Sequence, residues 1–152
     1  MATSTFRLKI ITPDRIVFDA DVEEVSARAL DGELAILPNH EPLVTALDIA
    51  PVVFRRNGVD DSAAVIGGIL EVGTTAPAPG NEKLQTEVII LSDTAELGTE
   101  IDAARASQAA ERAKALKTQK HEIKDTLAAE MALSRALARQ KAVDIAKLRR
   151  KR

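Results

Sequence analysis

Hydrophobic residues follow two regimes along the 152-residue chain. Through about residue 98 they form short runs rich in Val, Ile, Thr and Leu, each closed by residues that favour turns. The runs cover residues 6–11 before Thr12-Pro13-Asp14, 16–18, 22–30 before Asp31-Gly32, and 33–37 before Pro38-Asn39. Others follow at 52–55 before Asn57-Gly58, and at 63–66, 69–72 and 88–91. Pro presets one backbone angle, Gly and Asn admit left-handed conformations, and Asp bonds its own backbone, so such clusters reverse the chain. Many short strands at this spacing predict an antiparallel β-sandwich or flattened barrel. The stretch 74–85, which carries Ala-Pro-Ala-Pro-Gly-Asn, is too polar and broken for a core element and reads as a loop.

The second regime starts near Gly98 to Asp102. All seven Gly and all six Pro lie before residue 99, so nothing after it interrupts a helix. Of the last 52 residues 14 are Ala, mixed with Lys, Arg, Glu, Gln and Leu, all strong helix formers. Ile123, Leu127 and Met131 repeat at i+4, and Leu133, Leu137 and Ile145 continue an apolar face suited to packing on a neighbour. Residues 118–125 are polar, and Asp125 or Thr126 is a candidate cap for a second helix. One continuous helix and a two-helix hairpin both fit this pattern.

Composition narrows the chemistry. Aromatics make up only 2%, with no Trp or Tyr, which leaves an aliphatic core and argues against a nucleic-acid binder that stacks bases on rings. The absence of Cys excludes disulfides, thiol catalysis and thiolate zinc sites. The N-terminus shows no signal-like apolar stretch and no segment has the roughly 20 apolar residues that span a bilayer, so the chain reads as soluble and cytosol-facing. Charge is divided: residues 1–100 hold 7 basic and 17 acidic side chains, 7 − 17 = −10, whereas residues 101–152 hold 14 and 6, 14 − 6 = +8. A basic tail suits nucleic acid, an acidic protein surface, or simply solvent.

Four segments in order carry a family likeness: ITPDRIVFDADVEEV at 11–25, GELAILPNHEPLVTAL at 32–47, GGILEV at 67–72, and VIILSDTAELGTEIDAARA at 88–106. In order and spacing they resemble the epsilon subunits of bacterial and chloroplast ATP synthases, across nearly the whole chain. Ala35 and Asn39 stand where that family usually has glycine, and the 74–85 loop is longer than is typical. The resemblance implies a non-catalytic subunit of a rotary complex's central stalk, with no catalytic residue, no metal and no required cofactor. It implies a β-sandwich over residues 1–98 that packs its apolar sheet surface on the gamma subunit, and a mobile regulatory α-helical hairpin over 99–152. The loops around Glu33, Asn39 and His40 would face the polar loops of the membrane c-ring. The basic last helix, ending in Lys147 and Arg149 to Arg152, would reach the alpha and beta catalytic subunits and restrain ATP hydrolysis. Membrane association would be indirect, on the cytoplasmic side of an energy-transducing membrane, with no nucleic acid as partner. His40 alone lacks a nearby nucleophile or second ligand, which argues against catalysis or metal binding there.

The sharpest local signal is Ile101-Asp102-Ala103-Ala104-Arg105-Ala106. Asp102 and Arg105 share a helix face at i and i+3, and Asp102 suits a first helical turn. By resemblance this is the I/L-D-x-x-R-A motif with which some family members bind a regulatory ATP, and Glu96, Arg112, Arg135 and Arg139 complete the set. Guanidinium forks suit phosphate oxygens, and the carboxylates of Glu96 and Asp102 can accept from ribose hydroxyls or an adenine amine. No Gly-rich phosphate loop is present, so the chain is not a P-loop hydrolase. On one straight helix Arg112 and Arg135, 23 positions apart, would stand roughly 35 Å from each other, whereas helices of a hairpin pack about 8–10 Å apart. Two rival readings are a nucleic-acid adaptor using the basic tail and a small enzyme using Asp102, Arg105 and His40; salt-dependent DNA binding or turnover would identify either.

Overall fold

A computed structural model describes residues 4–76, 85–118 and 123–149. The first regime folds into β1 (Phe6–Ile11), β2 (Ile16–Val22), β3 (Glu24–Ala29), β4 (Gly32–Ile36), β5 (Leu43–Arg56), β6 (Val59–Thr75), β7 (Gln85–Leu91) and β8 (Ala95–Leu97). The second forms α1 (Ala103–Thr118) and α2 (Ile123–Arg149). The tip of the 74–85 loop and the middle of the 118–125 break lie outside the described residues.

The long β5–β6 hairpin, in register from Leu43↔Val72 to Arg56↔Val59, is the spine. Strands run in the order β2-β1-β7-β6-β5-β3-β4, with β8 added to β6. β7 pairs with the C-terminal half of β6 and β8 with residues 63–65 of its N-terminal half. Between the halves Gly67 and Gly68 take φ of 69° and 129°, conformations that side chains disfavour, and a Cβ on Gly68 would strike the Leu91 carbonyl. That bend lets one sheet fold over itself into a sandwich.

Alternation decides which residues enter it. On β1, Phe6, Leu8 and Ile10 are buried while Arg7 and Lys9 stay on the outer face, where they meet Asp19 and Glu87 at 2.6 Å. Val22, Val25, Ile36, Phe54, Val65, Leu70, Val88 and Ile90 fill the interior, and Phe18 stacks obliquely on Phe54 at 4.3 Å. Each such aliphatic chain removed from water contributes about 1.5–3 kcal/mol.

Several expectations need correction. The sandwich is not wholly antiparallel, because β1 and β7 pair in parallel, each held on its other side by an antiparallel neighbour. The runs at 52–55, 63–66 and 69–72 are parts of two long strands. β8 was not expected at all. The helices do form the hairpin that the resemblance implies, but α2 starts at Ile123, so Asp125 and Thr126 sit inside the helix rather than capping it. The i+4 row of Leu127 and Met131 faces solvent at 59% and 44% exposure. α2 instead buries Ala129, Ala136, Ala138, Ala142, Val143 and Ala146, and α1 buries only Ala106, Ala110 and Ala113. Small side chains let the backbones approach, so α2 lies as a middle layer between α1 and strands β5 and β6.

The seat of α2 on the sheet is tight. Ser62 donates its hydroxyl to the Ala142 carbonyl at 2.7 Å, and the Gly98 amide donates to the Ser62 carbonyl at 2.8 Å. A Cβ on Gly98 would overlap the Ala142 carbonyl and lie 2.7 Å from the Ser62 hydroxyl. Gly98→Ala should therefore lower stability to urea by about 1–3 kcal/mol, as overpacking does. Gly73→Ala, where a Cβ meets nothing within 4 Å, should change it by less than about 0.5 kcal/mol.

Candidate functional site

A cleft of about 440 Å³ opens where the sheet hands over to the helices. Glu96 enters it from β8; Glu100, Ile101 and Asp102 from the linker; Arg105, Ala106, Ala109 and Arg112 from α1; and Arg139 from α2. Its volume lies in the usual range of small-molecule sites.

Local rules fix each group. Asp102 is the N-cap of α1: its Oδ1 accepts from the Ala104 and Arg105 amides at 2.9 and 3.1 Å. The cap starts the helix at a defined residue and so sets the rotation of Arg105 and Arg112. Arg112 donates from Nε to the Gln108 carbonyl one turn back at 3.3 Å. Arg139 donates from Nε to Glu96 Oε2 at 2.8 Å and ties α2 to β8. Glu100 Oε2 accepts from Arg15 Nη2 at 2.6 Å, an ion pair that crosses from the β1–β2 turn.

Of the eight residues expected in a nucleotide set, the structure gathers Glu96, Ile101, Asp102, Arg105, Ala106, Arg112 and Arg139 around this cleft. Arg135 lies one turn before Arg139 on α2, outside the lining. Glu100 was missed; its place two positions before Asp102 was visible, but its partner is 85 positions away. Chemically the cleft presents acceptor oxygens at the linker end and guanidinium donors along α1 and from α2. Among the described residues no group of three or more His, Asp or Glu is disposed to hold a metal ion.

A larger groove of about 560 Å³ runs between α2 and strands β3 to β5, lined in part by Arg28, Glu33, Asp48 and Lys141. Arg28 is already paired with Glu33 at 3.1 Å, and no convergent set of one charge forms there, so the smaller cleft is the better candidate. Glu33 sits near the start of edge strand β4, whereas Asn39 and His40 lie beyond its end, about a strand length away. The Asn39 amide donates to Thr86 Oγ1 at 2.8 Å, and His40 Nδ1 is 2.7 Å from the Glu41 carbonyl.

Residues 5–76 match the family model of the ATP synthase delta/epsilon chain β-sandwich domain, and residues 99–144 match that of its long α-helix domain. The ATP synthase epsilon chain of Syntrophomonas wolfei is 40% identical over 144 residues, 93% of this chain and 96% of the relative. The chain belongs to the ATP synthase delta/epsilon family. The chloroplastic epsilon chain of Coffea arabica is 34% identical over 140 residues, 92% of this chain and 98% of that one. A chain in the mitochondrial ATP synthase of Euglena gracilis shares the fold, with a TM-score of 0.71 at 23% identity, covering 91% of this chain and 81% of that one. As an epsilon-family chain it is a subunit rather than an enzyme in its own right. Asn39, where the resemblance leads one to expect glycine, has φ of 67°, a left-handed conformation that Asn tolerates better than most residues. Among the described residues no helix is long and apolar enough to cross a membrane.

The Glu96–Arg139 pair is the one charged tie between β8 and α2, among the described residues, and both side chains are partly exposed. A double-mutant cycle with Glu96→Gln and Arg139→Gln, read by urea denaturation, should give a coupling of about 0.2–1 kcal/mol that shrinks at high salt.

Proposed function

We propose that the chain is the regulatory epsilon subunit of a rotary ATP synthase central stalk, and that its helical hairpin senses ATP at the cleft between β8, α1 and α2. Residues 1–98 would fix the subunit to the stalk and residues 99–152 would form the mobile regulatory part. One observation carries the reading. Arg112 and Arg139, 27 positions apart and so about 40 Å apart on a straight helix, line one cleft with Asp102 and Arg105. Such a site exists only while the hairpin is closed. ATP bound there favours the closed hairpin over the extended one by its difference in affinity for the two, a population shift. Phosphate charge would also offset the mutual repulsion of the clustered arginines.

Other surfaces suit the proposed partners. Ile16, Leu91 and Ile69, each about half exposed, lie in register across β2, β1, β7 and β6 through Ile11, with Val44 nearby on β5. This apolar band is the surface we assign to the gamma subunit. Glu33, Asn39 and His40 along and beyond edge strand β4 are the groups assigned to the polar loops of the c-ring. The extended state would direct the basic end of α2 toward the alpha and beta subunits and obstruct rotation in the hydrolysis direction. The subunit would then sit on the cytoplasmic side of the energy-transducing membrane, held there through the complex. The solved relative from Euglena gracilis belongs to an assembly described as OSCP, F1 and c-ring, and one from Tetrahymena thermophila, with a TM-score of 0.53, to a central stalk and c-ring.

Calorimetric titration of the isolated chain with ATP tests the site. Arg105→Ala and Arg139→Ala should each weaken binding more than about tenfold, since a charge-assisted hydrogen bond contributes about 1.5–3 kcal/mol. Combined, they should be non-additive by more than about 0.5 kcal/mol if both hold one triphosphate. Arg135→Ala, a turn away, should have a smaller effect. Absence of binding by the wild-type chain at millimolar ATP would sink the sensor.

Deleting the residues after Ser134 removes the part of α2 seated on the sheet and its basic end. ATP hydrolysis by the assembled complex should rise while assembly persists. Hydrolysis unchanged across a range of ATP concentrations would deny the tail a braking role.

A further inference from the structure

Within the cleft the charges are ordered along α1. The carboxylates of Glu96, Glu100 and Asp102 cluster at the linker end, whereas Arg105 and Arg112 stand one and three turns up the helix. An uncapped helix N-terminus would attract phosphate, but the first-turn amides of Ala104 and Arg105 are already taken by Asp102. The phosphates therefore gain no free amide at the linker end and meet three carboxylates there, of which only Glu96 is offset by an arginine lining the cleft, Arg139. Glu96 has one oxygen committed to Arg139, and Asp102 has one committed to the cap. Glu100 is held from outside the cleft, by Arg15 on the β1–β2 turn. Its backbone is pinned as well, since its amide donates to the Leu97 carbonyl at 2.9 Å. Its Oε1 therefore remains as an acceptor whose direction is set by a group that itself does not line the cleft.

We infer that Glu100, positioned by Arg15, reads the uncharged half of the nucleotide by accepting a hydrogen bond from a ribose hydroxyl or a base amine. The triphosphate then points up α1 toward Arg105 and Arg112, with Arg139 reaching in from α2 beside Glu96. The inference rests on the ATP site proposed above and deepens it: the cleft has a polarity, and the sheet takes part in recognition through Arg15. Glu100 is the recognition group and Arg15 a positioning residue.

The sign of the Glu100→Gln effect decides the orientation. The substitution keeps the size of the side chain and removes its charge. If Glu100 accepts from the nucleoside, ATP binding by the full-length chain weakens roughly tenfold, the loss of one charge-assisted hydrogen bond. Inorganic tripolyphosphate, which has only the charged half, binds unchanged or slightly tighter. Tighter ATP binding by Glu100→Gln would place phosphate beside Glu100 and overturn the inference. So would equal weakening of ATP and tripolyphosphate, which means a merely structural role, or no change with either. Comparing ATP with 2′-deoxy-ATP, 3′-deoxy-ATP and ITP separates ribose from base. The analogue that lacks the bonded donor should bind the wild-type chain less well and lose that disadvantage in Glu100→Gln. Arg15→Ala should weaken ATP severalfold without affecting tripolyphosphate, and Arg15→Lys should restore part of the loss; ATP binding unmoved by Arg15→Ala would remove Arg15 from the inference. If wild type binds tripolyphosphate and ATP equally well, the nucleoside is not read at all and the inference fails while the anion site stands. If wild type binds neither, the parent site fails.

Discussion

The carbonyl of Ala142 occupies the place where a side chain at position 98 would stand. With glycine there, the backbone of α2 comes down onto the sheet far enough for the Ser62 hydroxyl to reach the same carbonyl. Ser62 is fully buried, so its hydroxyl would be costly without that partner. The contact fixes the height and register of α2, which brings Arg139, three residues before Ala142, down to Glu96, itself paired with Ala64 of β6. The linker after Gly98 then has one route to the start of α1, where Asp102 caps it. The cleft is thus a by-product of one close backbone approach. Moving α2 outward by the width of a methyl group would widen it on every side.

How much of this could be read from residues alone follows from the range of the interactions. Short strands ended by Pro-Asp, Asp-Gly and Asn-Gly were legible because turn chemistry is local. The long strands β5 and β6 were not, since Pro51 and Gly67-Gly68 look like breaks. Pro51 is tolerated because the β3–β5 ladder shifts register between Ser26 and Ala29, so no donor is demanded of it there. The glycines bend β6 instead of ending it. The three residues of β8 carry no alternation, and the parallel pairing of β1 with β7 depends on contacts about 80 positions apart, as in Leu8↔Val88.

The cleft shows the same division. Asp102 and Arg105 are three residues apart and their shared face is dictated by helical geometry. Arg112 and Arg139 meet only through the hairpin, which the sequence left open beside a continuous helix. Glu100 could be seen, but the guanidinium that aims it belongs to a turn at the other end of the sandwich domain's sequence. The apolar repeat of Leu127 and Met131 misled because size was taken as the sign of a buried face. Here the fully buried positions of the two helices are alanines and Val143, while Leu133, Leu137 and Ile145 are only half-buried and Leu127 and Met131 stay exposed.

That choice of alanine bears on how the molecule responds to heat. The face α1 presents to α2 consists of the methyl groups of Ala106, Ala110 and Ala113, so parting the two helices uncovers little apolar area. Heat-capacity change scales with apolar area exposed, and a small one leaves the enthalpy of opening nearly independent of temperature. Ion pairs across the seam, such as Lys117–Glu130 at 3.2 Å, carry a larger share of the balance than they would beside a leucine-lined one. A seam made this way answers to the ionic strength of its surroundings more than to warming or cooling.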